Sequence, residues 1–124
     1  MADLSGIWLG TYWQRGVPTR FEATLVQSGN TLSGRVLDDS YLGEAQLSGT
    51  VTGRVVNFTK RYLMSSPEAI NYTGTLSEEE NYIQGQWKIG WRFTGPWEAH
   101  RQGDNLVAEL KTRKVEQVPI STSG

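Results

Sequence analysis

The sequence predicts an all-β protein: an eight-stranded antiparallel up-and-down β-barrel with a short C-terminal helix. Three observations lead to this fold class. Apolar and polar residues alternate with a period of two along most of the chain. Turn-forming residues interrupt this alternation at short intervals. Glycines recur on the apolar side of the alternation, which is typical of a strongly curved sheet.

The segments between the turns are rich in β-branched and aromatic residues, as strands are. The predicted strands span residues 6–14, 19–27, 31–37, 43–52, 54–63, 69–76, 82–89 and 92–102. Because the connections are short, each strand is expected to pair with its neighbours in sequence. Pairing of the first strand with the last then removes both exposed edges of the sheet.

The alternation also assigns the two faces of the sheet. One face is apolar and lies inward, whereas the other is polar and faces water. Glycines on the inward face are Gly6, Gly10, Gly34, Gly49, Gly74, Gly85 and Gly95. Glycine weakens a strand interior, so its repeated use indicates a tightly coiled sheet in which aromatic side chains cover the exposed backbone.

The strand pattern ends near Gly103, and Asp104 is a suitable N-cap for a helix. The sequence therefore divides into a β-barrel over 1–103, a helix over 104–116 packed on the barrel, and a flexible tail over 117–124. The helix has an apolar side formed by Leu106, Val107 and Leu110. It is expected to cover the outward apolar residues of the first strand, Ile7, Leu9 and Trp13; a subunit interface is the alternative.

The composition excludes several classes of function. A chain of 124 residues forms one domain. Twelve basic and thirteen acidic residues give a net charge of −1, so nucleic-acid binding is not expected. The absence of cysteine excludes disulfides, thiol nucleophiles and thiolate metal sites. Without a basic and apolar leader or a run of about 20 apolar residues, we expect a cytoplasmic protein with no membrane span.

The sequence offers no catalytic or metal-binding constellation. His100 is the one histidine and has outward parity, with no serine and aspartate expected beside it. Asp38 and Asp39 are expected in a turn. We therefore expect no enzyme activity, no metal and no cofactor. A small enzyme that uses Lys60 and tyrosines is a further alternative, but it would need a second ionisable group beside this lysine.

Two basic residues have inward parity. Arg101 is expected to stack on Trp8 and close one end of the barrel. Lys60 has no inward carboxylate to pair with, and an unpaired buried ammonium is costly. Two interpretations remain open: its ammonium stays in water at the open end, or it pairs with an anionic ligand, with the hydroxyls of Tyr62 and Tyr72 as further donors.

The segment Gly6-Ile7-Trp8 resembles the Gly-x-Trp motif of the calycins, the group of lipocalins, fatty-acid-binding proteins and avidins. Arg101 stands where that group places an arginine over the tryptophan. The chain is also similar to avidins in Trp87 and Trp97 on the last two strands. Tyr12-Trp13-Gln14-Arg15 does not match the biotin-ring ligands of avidins. The resemblance implies a cytoplasmic lipocalin-like family that binds a small molecule inside its barrel.

These observations together predict non-catalytic binding of a small apolar or amphipathic ligand inside the barrel, an aromatic anion included. The alternative is a protein-interaction scaffold with a filled barrel and no small-molecule ligand. The chain is expected to be a monomer, or a homo-oligomer that associates through its first strand. The predicted ligand-binding residues are Tyr12, Phe21, Phe58, Lys60, Tyr62, Tyr72, Trp87 and Trp97.

Overall fold

The computed structural model describes residues 3–102 and confirms the predicted barrel. Each strand pairs antiparallel with its neighbours in sequence, and the first strand pairs with the last. The strands are β1 (Gly6–Gln14), β2 (Val17–Ser28), β3 (Thr31–Asp38), β4 (Glu44–Thr52), β5 (Val55–Tyr62), β6 (Ala69–Leu76), β7 (Tyr82–Ile89) and β8 (Phe93–Arg101). The predicted helix over 104–116 and the tail over 117–124 lie outside the described residues.

The strand bounds differ from the prediction at two places that matter for the site. β2 begins at Val17, because Val17 and Pro18 pair with the last residues of β1. β3 continues to Asp38, which pairs with Phe21 of β2. The expectation that Asp38 lies in a turn is therefore wrong. The turn tendency of aspartate is overridden by this pairing and by the contacts of its carboxylate described below.

Glycines allow aromatic side chains to lie directly on the curved backbone. A Cβ atom at Gly95 would come within 2.6 Å of the indole nitrogen of Trp87. A Cβ atom at Gly10 would likewise overlap the ring of Phe21. Larger residues at either position would therefore displace an aromatic ring from the core.

One end of the barrel is closed by Trp8 and Arg101, which pair across β1 and β8. The guanidinium of Arg101 lies 4.6 Å from the centre of the Trp8 ring. It also donates hydrogen bonds to the backbone carbonyls of Asp3, Ser5 and Glu80 at 2.8, 3.1 and 3.0 Å. This one side chain therefore ties the N-terminal segment and the β6–β7 loop across the end of the barrel.

The opposite end, called the mouth below, is surrounded by the β1–β2, β3–β4, β5–β6 and β7–β8 connections. Three of these loops present large apolar side chains to solvent: Tyr41 is 93% exposed, Met64 95% and Trp91 82%. The connections at the closed end are the short turn at Gly29-Asn30, the short turn at Gly53-Arg54 and the polar loop 77–81. The two ends of the barrel thus differ in chemistry as well as in closure.

The outer face of β1 keeps part of its apolar surface exposed within the described chain. Ile7 and Leu9 are each 37% exposed. The predicted cover for these residues, the segment with Leu106 and Leu110, lies outside the described residues. Between residues 3 and 102 there is no helix of the length and apolarity needed to cross a membrane.

Candidate functional site

The interior of the barrel is almost filled by side chains. The ring of Phe58 stacks on that of Tyr72, with centres 4.8 Å apart, and Trp97 meets both rings edge-on. The cavity that remains has a volume of about 20 Å³, which is room for about one water molecule. Of the predicted ligand-binding residues, those that line it are Phe21, Phe58, Lys60, Tyr72 and Trp97.

A buried ion pair crosses the barrel between this cavity and the mouth. The ammonium nitrogen of Lys60 lies 2.7 and 3.0 Å from the two carboxylate oxygens of Asp38. Lys60 is 1% exposed and Asp38 5%. Burial of either charge alone would be costly, whereas the pair satisfies both. The expectation that no inward carboxylate pairs with Lys60 is therefore wrong, and so is the expectation that no second ionisable group lies beside this lysine.

Two tyrosine hydroxyls complete the coordination of the carboxylate. Tyr62 donates a hydrogen bond to Asp38 at 2.5 Å, and Tyr12 donates one at 2.8 Å to the same oxygen, Oδ2. The two hydroxyl oxygens lie 3.5 Å apart. Asp38 of β3 thus binds side chains of β1 and β5, although neither strand is a direct neighbour of β3 in the sheet. We refer to Tyr12, Asp38, Lys60 and Tyr62 as the ion-pair layer.

Aromatic rings surround the ammonium of Lys60. Its nitrogen lies 4.8 Å from the ring centres of both Tyr12 and Tyr62, 5.7 Å from Tyr72 and 5.9 Å from Phe21. Rings at these distances attract a cation through their π electrons. The charge of Lys60 is therefore satisfied by groups of the protein. It needs neither water at the open end nor an anionic ligand, the two interpretations that the sequence left open.

The environment of this layer changes the ionisation of its members. Burial lowers the pKa of Lys60, an effect that the charge of Asp38 opposes. Burial raises the pKa of Tyr12, Tyr62 and Tyr72, and the negative charge of Asp38 raises all three further. The tyrosines are thus held in the neutral form, in which Tyr12 and Tyr62 donate to the carboxylate.

A pocket of about 240 Å³ opens above the ion-pair layer at the mouth. Four predicted site residues line it: Tyr12, Tyr62, Tyr72 and Trp87. The other lining residues, which the sequence reasoning missed, are Gln14, Tyr41, Leu42, Ser66, Glu68, Ile70 and Ile89. The predicted set is therefore divided between the small interior cavity and the mouth pocket, and Tyr72 contributes to both.

Backbone acceptors hold the two inward indoles of β7 and β8. The Trp87 indole N–H donates to the carbonyl of Trp13 at 2.9 Å, and that of Trp97 donates to the carbonyl of Thr73 at 3.0 Å. The hydroxyl of Tyr72, by contrast, makes no hydrogen bond to another residue between 3 and 102. Trp87 is thus fixed in the wall of the pocket, while Tyr72 keeps a free hydroxyl.

The outer wall contains a second polar cluster around His100. Its ring lies 4.7 Å from that of Tyr82, whose hydroxyl donates to Glu98 at 2.6 Å. Burial and the neighbouring Glu98 raise the pKa of Tyr82 to about 12. In the described part of the chain, no three histidine, aspartate or glutamate side chains converge in a way that would hold a metal ion.

Of three comparisons with known proteins, the one with solved structures found a similar fold. No protein-family model matches the chain, and no curated protein matches it. A solved structure of a de novo designed fluorescence-activating β-barrel is similar, with a TM-score of 0.60 and 16% sequence identity. The match covers 82% of this chain and 100% of the designed one. At this identity the similarity shows the eight-stranded barrel fold alone.

The ion pair should make a large coupled contribution to stability. Lys60→Met and Asp38→Asn should each lower the free energy of unfolding by about 3–5 kcal/mol, because each leaves a buried charge without its partner. The double variant should cost at least about 2 kcal/mol less than the sum of the single variants. Urea unfolding of the four proteins measures this coupling.

The exposed pair Arg35–Glu44, with a nitrogen–oxygen distance of 2.9 Å, provides a matched control. The same double-mutant cycle there, with Arg35→Met and Glu44→Gln, should give a coupling below about 1 kcal/mol. Equal coupling energies for the two pairs would contradict the stabilising role given to Asp38 and Lys60.

The buried tyrosines should make the barrel sensitive to alkali. Their folded-state pKa values are raised, so their contribution to stability is present below pH 10 and is lost as pH rises further. The pKa of Lys60 is lowered from 10.5, so this lysine makes the free energy of unfolding rise with pH, but only below pH 10.5. At higher pH, each tyrosine that is ionised in the unfolded chain and still protonated in the folded protein should reduce the unfolding free energy by about 1.4 kcal/mol per pH unit.

Urea unfolding between pH 9 and 12 measures this slope. Tyr72→Phe should reduce the slope by one tyrosine's share without removing a hydrogen bond. Tyr41→Phe, at a side chain that is 93% exposed, is the matched control and should not change it. A stability that is constant up to pH 12 would contradict the prediction.

Proposed function

We propose that the protein binds a small, mainly apolar or aromatic molecule at the mouth of its barrel and does not transform it. The sequence predicted a ligand inside the barrel, but the interior cavity of about 20 Å³ is too small for one. The observation that carries this proposal is the 240 Å³ pocket with an aromatic floor above the ion-pair layer. Ligand sites are typically concave and mostly apolar, with a few polar groups that fix orientation. The free hydroxyl of Tyr72 and the amide of Gln14 are such groups here.

The floor of the pocket is preorganised. Tyr12 and Tyr62 are each fixed through their hydroxyl to Asp38, and Trp87 through its indole N–H to Trp13. A ligand would therefore meet rings that are already held in place, and little side-chain entropy would be lost on binding. The designed barrel with a similar fold is described as fluorescence-activating.

The non-catalytic part of the proposal is supported by the state of the reactive groups. Lys60 is 1% exposed, so its amine is not accessible to a molecule in the mouth. Asp38 accepts hydrogen bonds from Lys60, Tyr12 and Tyr62. Asp38 is thus the second ionisable group that an enzyme would need beside Lys60, but the two side chains bind each other beneath the pocket.

A lipocalin-like relationship is a further part of the proposal. It is supported by the position of Arg101 over Trp8, at 4.6 Å, in addition to the Gly6-x-Trp8 spacing. The arrangement closes the end of the barrel opposite the mouth, so that the mouth is the one open end between residues 3 and 102.

An interaction scaffold is the second candidate function, and a separate observation favours it. The interior is filled, while the exposed side chains of Tyr41, Met64 and Trp91 project from three loops around the mouth. Exposed apolar groups that cluster in this way mark interaction sites. On this alternative the loops, rather than the pocket between them, would form the contact.

A neutral fluorogenic dye distinguishes the two candidates. Nile red should bind with a 1:1 stoichiometry, gain fluorescence and quench tryptophan emission through Trp87. Gln14→Trp should weaken binding at least tenfold, because the larger side chain fills the pocket. Fluorescence titration of the wild-type and variant proteins measures this difference.

Gln46→Trp provides the matched control, since it places the same side chain on the exposed outer face of β4. It should leave the affinity unchanged. Dye binding that is equally insensitive to both substitutions, or absent altogether, would contradict a ligand site in the mouth and favour the scaffold.

A further inference from the structure

Among residues 3–102, the lining of the mouth pocket carries a single charged residue, Glu68. Its carboxylate forms no ion pair with any residue between 3 and 102. No lysine, arginine or histidine of the described part of the chain lines the pocket. Arg15 and Arg92 belong to the surrounding loops, as does Asp39, but none of these three side chains contributes to the lining. The pocket wall is therefore formally negative.

The cation beneath the floor does not reverse this sign. Lys60 lies within 3.0 Å of both carboxylate oxygens of Asp38, so the ion-pair layer has no net charge. Lys60 does not line the pocket, whereas Tyr12 and Tyr62, whose ring centres lie 4.8 Å from its ammonium, do. Among the lining residues that the structure describes, an anionic ligand would find no unpaired positive charge.

Most hydrogen-bond donors of the floor are already used by the protein. The hydroxyls of Tyr12 and Tyr62 donate to Asp38, and the indole N–H of Trp87 donates to a backbone carbonyl. An anion needs donors or a cation to replace its hydration. At the floor of this pocket it would find mainly the hydroxyl of Tyr72.

A cation, in contrast, would find two kinds of favourable partner. Aromatic side chains make up much of the wall: Tyr12, Tyr41, Tyr62, Tyr72 and Trp87. Tyrosine and tryptophan faces attract cations, and aromatic cages that bind quaternary ammonium groups use this attraction. The carboxylate of Glu68 adds a negative charge at the rim.

We propose that the mouth pocket selects an organic cation, a planar aromatic molecule with an ammonium or iminium charge, over an anion of similar size. This inference rests on the proposed ligand site in the mouth and adds the charge of its ligand. It also replaces the aromatic anion that the sequence suggested, because that suggestion depended on an unpaired Lys60.

Two fluorogenic aromatic dyes of opposite charge test the proposal. Thioflavin T is a cation, and 1-anilinonaphthalene-8-sulfonate is an anion. At low ionic strength the pocket should bind thioflavin T at least tenfold more tightly. The preference should decrease as salt is added, because the charge of Glu68 is exposed to solvent and screened by ions.

Substitutions that change only the charge of the rim locate the effect. Glu68→Gln should weaken thioflavin T binding two- to fivefold. Gln14→Lys and Gln14→Glu form a matched pair at an exposed pocket residue, and the lysine should weaken binding of the cation while the glutamate strengthens it. Glu79→Gln, in the loop at the opposite end of the barrel, is the control and should have no effect.

The outcomes separate this proposal from the one it rests on. If Nile red binds in the mouth but the anionic dye binds as tightly as thioflavin T, the charge preference is wrong and the ligand site stands. If the preference is present but unaffected at Glu68 and Gln14, the cation binds elsewhere and the proposal is also wrong. If none of the three dyes binds, the mouth site itself fails.

Discussion

The ion pair between Asp38 and Lys60 is the interaction on which the arrangement of this barrel depends. Two opposite charges are held at 2.7 Å in a layer from which water is largely excluded. Their attraction balances the cost of desolvation only because the surroundings are complete. Tyr12 and Tyr62 donate to the carboxylate, and four aromatic rings surround the ammonium. The layer therefore fixes side chains from β1, β3 and β5 relative to one another across the barrel.

This layer also determines where a ligand site can lie. Below it, Phe58, Tyr72 and Trp97 pack closely and leave about 20 Å³. An eight-stranded barrel is just wide enough for its own side chains to fill, and here they do. Above the layer, the loops of the mouth leave about 240 Å³. The tyrosines that satisfy Asp38 on one side form the floor of this pocket on the other, so stability and recognition share the same residues.

The barrel was predictable from the sequence because its signals are local. The alternation of apolar and polar residues, the turns and the inward glycines determine strands, faces and closure without knowledge of distant contacts. The ion pair was not predictable in this way. Asp38-Asp39-Ser40 has the composition of a turn, and Lys60, the partner of Asp38, is 22 residues away in the sequence. The parity of β3 contained the missing signal: Leu32, Gly34 and Val36 face inward, and Asp38 is the next residue in that series. The mouth pocket depends on loop residues such as Tyr41 and Glu68, for which strand periodicity gives no information.

The central claim is that a ligand lies above an intact ion-pair layer rather than inside the barrel. A crystal structure of the protein saturated with Nile red tests it most directly. The account predicts that the dye contacts Tyr41, Leu42 and Ile89 at the mouth while the carboxylate of Asp38 remains within hydrogen-bond distance of Lys60. A dye that lies against Val56 and Ile83 in the interior, with Asp38 and Lys60 separated, would contradict it.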